Sequence, residues 1–216
     1  MTMQTSSIKD KIAVISTAFL IAFAILLVSV LRSASPKFAY LTPSYAYSPM
    51  VLSEKATSDK LIPIDYTLAY QGKVLPDNPL WYLKVLRDKA WLAVTFNNAK
   101  KAEINLLFAD KRLGSSLELF KNNKPDLGLS TLTKSGKYLE SAEMVMGDDK
   151  DFYKKIATAS LKHIEVIENE ILPLSPEDIK PEVIKARGYS EETYKRTRDH
   201  MLSVGLVPPE DPSETK

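Results

Sequence analysis

The sequence predicts an all-α protein: an N-terminal transmembrane helix, an extended stalk, then an antiparallel helical bundle of about four helices plus two short C-terminal helices. Three observations lead there. Ile12 to Leu31 holds twenty residues without a charge, Gly or Pro, enough at ~1.5 Å rise per residue to cross a ~30 Å hydrocarbon core. Pro36, Pro43 and Pro49 then forbid a continuous helix and favour extended backbone. From Pro79 to Leu172, apolar residues recur at steps of three and four, the period of a helix with one buried face.

Residues 1–11 form a polar tail too short to fold. The run over 12–31 is longer than the ~7–15 apolar residues of a signal peptide. Cleavage patterns behind it are poor: Ser33-Ala34-Ser35 is followed at once by Pro36, and Ser44-Tyr45-Ala46 lies far from the run. An uncleaved anchor is the expectation. Lys9 and Lys11 balance Arg32 and Lys37, so charge leaves the orientation open. Long domains translocate largely regardless of charge, and the domain is placed outside the cytoplasm.

Residues 32–60 are the Pro-, Ser- and Tyr-rich stalk. In 61–77, Ile62, Ile64, Tyr66, Leu68 and Tyr70 alternate with Pro63, Asp65, Thr67 and Ala69. Period two means extended chain with one face buried, and with no sheet to join, this segment should pack along the helices.

The helical domain spans 78–204. Asn78 is placed as an N-cap with Pro79 at the first helical position, where the missing N–H costs nothing. Helix one runs to about Phe96 with Leu83, Leu86, Ala90 and Ala93 on its core face. Helix two starts at Asn97 or Asn98 and runs to about Lys121, with Ala102, Leu106, Ala109, Leu113, Ser116 and Phe120 as its stripe.

Helix three starts at Pro125 or Asp126 and presents Leu129, Leu132, Gly136, Leu139 and Met146. Gly136 in mid-helix costs about 1 kcal/mol against Ala, so a close helix crossing is expected there. Gly147-Asp148-Asp149 ends that helix and caps the next, which runs to Leu172 with Phe152, Ile156, Ser160, His163, Ile164, Ile167 and Ile171 inward. Ser175 and Ser190 read as the N-caps of the two short C-terminal helices, separated by Gly188. Residues 205–216 read as a disordered polar tail.

Several stretches resemble a known family. Tyr66-Thr-Leu-Ala-Tyr-Gln-Gly72, Leu75-Pro-Asp-Asn-Pro-Leu-Trp-Tyr-Leu-Lys84, Leu86-Arg-Asp88, Thr95-Phe96 to Glu103, and Ala109-Asp-Lys-Arg-Leu113 resemble the bacterial domain of unknown function family 5667. The resemblance implies a membrane-anchored protein of the bacterial cell envelope and agrees with the anchor. It supplies no catalytic residues.

Composition excludes much. Setting aside Lys9, Asp10 and Lys11 leaves 27 basic and 26 acidic residues, so no general field favours polyanions. There is no Cys, hence no disulfide, thiol nucleophile or Cys-liganded zinc. A di-metal bundle site needs Glu three residues before each His, but Ser160 and Thr197 stand before His163 and His200. His163 reads as a hydrogen-bonded boundary residue and His200 as a surface one. Seven scattered Gly build no phosphate loop, and no Gly-x-Ser-x-Gly elbow is present.

Glu140 with Glu143, and Glu165 with Glu168, read as solvated helix faces. Lys185, Arg187, Lys195, Arg196 and Arg198 form a basic cluster with Tyr189 and Tyr194, diluted by Glu182, Glu191, Glu192 and Asp199.

No catalytic, cofactor-binding or metal residue is therefore assigned. The expected partners are the lipid bilayer through residues 12–31 and an envelope protein or cell-wall component, with no nucleic acid. Trp81, Trp91 and Phe96 are the candidate anchors of a partner groove. The expected function is binding or scaffolding in the envelope. The alternatives are a regulatory, anti-sigma-like membrane protein, against which the eleven-residue N-terminus counts, and an enzyme.

Overall fold

The computed structural model describes residues 14–23, 25 and 64–211. The chain divides into two units, Met1–Thr57 and Ser58–Lys216. In the first, residues 14–23 and 25 are helical, with Val14, Phe19 and Phe23 among the exposed apolar side chains. The expected span over 12–31 lies partly outside the described residues. Among the described residues no helix is long and apolar enough to cross a membrane. The N-terminal tail, the stalk, Ile62 and residues 212–216 also lie outside them.

In the second unit every regular element among the described residues is a helix. Its elements are α1 (Trp81–Val94), α2 (Asn98–Lys121), α3 (Pro125–Val145), α4 (Lys150–Val166) and α5 (Lys180–Ser203). A π turn, Ile167–Ile171, and a 3₁₀ turn, Leu172–Leu174, prolong α4. Pro173 lacks an N–H, so the α pattern cannot run on through it. Two local caps open α2 and α4: the start left between Asn97 and Asn98 is settled with Asn97 as the cap, and the Asp149 end of Gly147-Asp148-Asp149 caps as expected. Asn97 Oδ1 accepts from Lys100 N at 3.0 Å, and Asp149 Oδ1 accepts from the backbone N of Asp151 and Phe152, both at 3.1 Å.

Helices α2 and α3 form the largest helix contact, an antiparallel pair across a three-residue turn in which Asn123 takes a positive φ of 56°. The expected stripe of α2 is buried in full, from Ala102 to Phe120. α5 crosses α3 at Gly136, where an added Cβ would stand 2.6 Å from Tyr189 Cβ. That is the close approach the glycine was expected to serve. α5 also packs on α4, so the bundle consists of α2, α3, α4 and α5. One core cluster gathers Leu106, Leu139, Ile156 and Tyr194, and a second gathers Leu113, Leu132, Ile171 and Val183.

Four expectations are corrected. First, α1 is not a bundle member: only Trp81 and Asp88 of its fourteen residues are buried. Its expected core face, Leu83, Leu86 and Ala93, lies in water, with Ala90 half-buried. The helix also starts three residues after Asn78, whose Oδ1 accepts from Leu80 N at 2.9 Å. Second, the two short C-terminal helices are one continuous helix. Ser190 is 1% exposed in the middle of a stripe of Val183, Ala186, Thr193, Thr197 and Met201, and burying that stripe outweighs a local cap signal. Pro181 stands in the first turn of α5, where it opens that helix.

Third, Ser175 does not cap: its hydroxyl donates back to Ile171 O at 2.8 Å. Fourth, residues 205–211 return to the domain. Leu206 packs on the first core cluster, and Tyr194 OH donates to Pro209 O at 2.7 Å.

Candidate functional site

Residues 64–70 bring the first of the polar groups to the bundle. Ile64, Tyr66 and Leu68 turn inward while Asp65 and Thr67 stay exposed, as period two requires, although Tyr70 departs from the pattern and faces water. Further on, Gln71 lies over Gly114 of α2, so close that a Cβ there would meet its Oε1 at 2.9 Å.

This packing delivers Tyr66 to Asp110. The tyrosine hydroxyl donates to Asp110 Oδ2 at 2.9 Å, and Ala69 N donates to the same oxygen at 3.4 Å. His163 Nε2 lies 2.9 Å from Asp110 Oδ1. A carboxylate only accepts, so this ring nitrogen carries the proton in the bond. His163 is 1% exposed and Asp110 3%, which corrects the boundary reading of the histidine. Burial, followed by the adjacent Asp110 charge, holds the Tyr66 hydroxyl well above the ordinary phenol range. With both Asp110 oxygens engaged and the imidazole enclosed, the triad has the form of an internal clamp. It fastens α4 and the entering segment to α2.

A second polar group lies between α1 and α2. Lys84 Nζ donates to Gln71 O at 2.7 Å and Val74 O at 3.2 Å, and stands 4.5 Å from the centre of the Trp81 ring. Arg112 is packed between Trp81 and Tyr138, its Cζ 5.2 Å and 5.0 Å from the two ring centres. Asp88 pairs with its neighbour Arg87 at 2.6 Å. Burial chiefly, relieved by Asp88 but reinforced by the positive charges of Lys111, Arg87 and Arg112, pushes Lys84 down to about 8. Burial also lowers Lys111. Sequence reasoning missed Asp110 and Arg112. The signal was there: both flank the apolar stripe of α2 within the Ala109 to Leu113 motif.

The third feature is the outer side of α1. Leu83 is 64% exposed and Leu86 65%, and Leu80, Val94 and, beyond the helix, Phe96 are exposed with them. Arg87 and Lys89 flank this side, while the one acid of α1, Asp88, points inward. Of the three candidate anchors, Trp81 is buried under Lys84 and Arg112. Trp91 meets Phe108 edge-on at 6.0 Å, and Phe96 alone is on the surface.

The remaining candidates are neutralised locally. Arg196 pairs with Glu143 at 3.0 Å and Glu140 at 3.4 Å; Arg187 pairs with Glu168 and Glu191; Lys162 pairs with Glu165. Lys185, Lys195 and Arg198 each face an acid on their own helix, so the basic cluster has little outward field. The His200 ring lies 4.3 Å from that of Tyr153. Among the described residues no group of three His, Asp or Glu is placed to hold a metal.

Neither a curated protein nor a solved structure matches the chain. A family does: the domain of unknown function DUF5667 matches residues 73–176, which take in α1 to α4 with Asp110, Arg112 and His163. Through that region, the chain is similar to the DUF5667 family.

Proposed function

We propose that this protein is a non-enzymatic binding domain, anchored in the bacterial cell membrane by residues 12–31 and held outside the cytoplasm, with α1 as its docking surface for an envelope partner. One observation carries the reading. Leu83, Leu86, Ala90 and Ala93 have the three-and-four spacing of a core face, yet the bundle closes without them. Contiguous apolar surface left in water is unfavourable and marks interaction sites. Anchorage is supported by the twenty uncharged residues of 12–31. The enclosed Asp110 and His163 favour a structural role over catalysis, because a general base must reach a substrate proton.

A photocrosslinking residue at Leu86 of the full-length protein in intact cells tests the docking surface. The same residue at Met144, exposed on α3, is the control. A discrete envelope product from position 86, absent from 144 and lost with Leu83→Asp, is expected. Equal products at both positions would refute the surface. The anchor predicts retention in the membrane after carbonate extraction, and release would overturn it. Protease added to intact spheroplasts should remove the domain, whereas protection until lysis would reverse the topology.

A further inference from the structure

Arg112 is the anomaly of the molecule. It is 5% exposed, its Nε is buried without a hydrogen-bond partner, and among the described residues no carboxylate meets its guanidinium. Burying a charge without a counter-ion is costly, and the faces of Trp81 and Tyr138 return only part of that cost. Two further cations gather beside it. Lys84 shares the Trp81 ring with Arg112, and Lys111 precedes Arg112 in α2 and acts on Lys84 by charge repulsion. Asp88 is the acid that acts on both lysines, and its carboxylate is already bound to Arg87. Arg112 is thus left without an anion of its own, beside two lysines whose acid, Asp88, is shared with Arg87.

We propose that Arg112, Lys84 and Lys111 form a phosphate-binding site at the junction of α1 and α2, which takes the phosphate group of a lipid headgroup or of a soluble phosphate. A guanidinium presents parallel N–H donors in a fork and an ammonium adds a point charge, which together suit a multiply charged tetrahedral oxyanion better than a single carboxylate. The site is on the inner flank of α1, opposite Leu83 and Leu86. It therefore stands or falls separately from the docking face.

The test uses the full-length chain in neutral detergent, with tryptophan emission and thermal melting as readouts. Inorganic phosphate is titrated against sodium chloride at equal ionic strength. In a second arm the protein is reconstituted in phosphatidylcholine vesicles with and without phosphatidylglycerol. The expected result is a saturable emission change and a rise in melting temperature of several degrees beyond chloride. Lys89→Gln on the outer flank should keep the response and Arg112→Met should abolish it. A response to inorganic phosphate identifies a soluble phosphate as sufficient; a response confined to phosphatidylglycerol vesicles, and lost in Arg112→Met, identifies a headgroup. No phosphate-specific response in either arm, or one that persists in Arg112→Met, overturns the site. If Arg112→Met does not melt cooperatively, Lys111→Met takes its place and should weaken the response at least tenfold.

Discussion

Removing the Asp110 carboxylate tests whether the buried triad is the clamp its geometry describes. In Asp110→Ala, the Tyr66 hydroxyl and His163 Nε2 both lose the acceptor that each now meets at 2.9 Å. His163 cannot turn to solvent without moving α4, and Tyr66 is partly buried against the core. The orphaned buried His163 donor costs about 1–3 kcal/mol and the partly buried Tyr66 bond about 1 kcal/mol, so the loss should be about 2–4 kcal/mol. That is a large part of the ~5–15 kcal/mol that holds a domain of this size. Urea unfolding followed by helical circular dichroism measures the loss. Tyr66→Phe removes one donor and should cost about 1 kcal/mol, and the double variant should cost less than the sum because the shared bond is counted once. A second readout is local: trypsin should cut at exposed Lys73 faster in Asp110→Ala, once the segment before α1 is no longer held. A cost under about 0.5 kcal/mol for Asp110→Ala, or strict additivity with Tyr66→Phe, would refute the clamp.

The other predictions address packing and titration. Gly136→Ala drives a Cβ into Tyr189 and should destabilise by about 1–3 kcal/mol in thermal melts, even though Ala is the better helix former. Gly188→Ala adds a methyl in open space within the continuous α5 and should stabilise by about 0.5–1 kcal/mol; a loss would argue for a break in the helix there. Leu83→Asp together with Leu86→Asp should leave the melting temperature within about two degrees of the parent, because both sites already face water; a clear drop would place α1 inside the core. In pH titrations the unfolded chain keeps Lys84 and Lys111 protonated to higher pH than the folded one, so stability should rise above about pH 8. Tyr66 acts in the opposite sense at higher pH. Its folded hydroxyl stays protonated where the unfolded one ionises, so stability should fall beyond the ordinary tyrosine range, and Lys84→Met should flatten the earlier rise.

The sequence by itself determined the elements whose causes are local. The α2 stripe from Ala102 to Phe120 and the Asn97 and Asp149 caps follow from spacing and from side chains that reach two or three residues along the chain. The small residue at Gly136 could likewise be read as a crossing before its partner Tyr189 was known. What tertiary structure alone decided was which faces meet. Periodicity marks Leu83 and Leu86 as an apolar face but contains no information on what covers it, and α5 takes the fourth place in the bundle that α1 was expected to fill. The Ser190 cap signal was real chemistry overridden by the burial of one long stripe. His163 and Asp110 are 53 residues apart, and Tyr66 and Asp110 are 44. The solvation of a polar side chain is settled by neighbours at that range, so its burial could not be read from its own helix. Arg112 is the extreme case: its position beside the α2 stripe was visible, but the two rings that hold it come from α1 and α3.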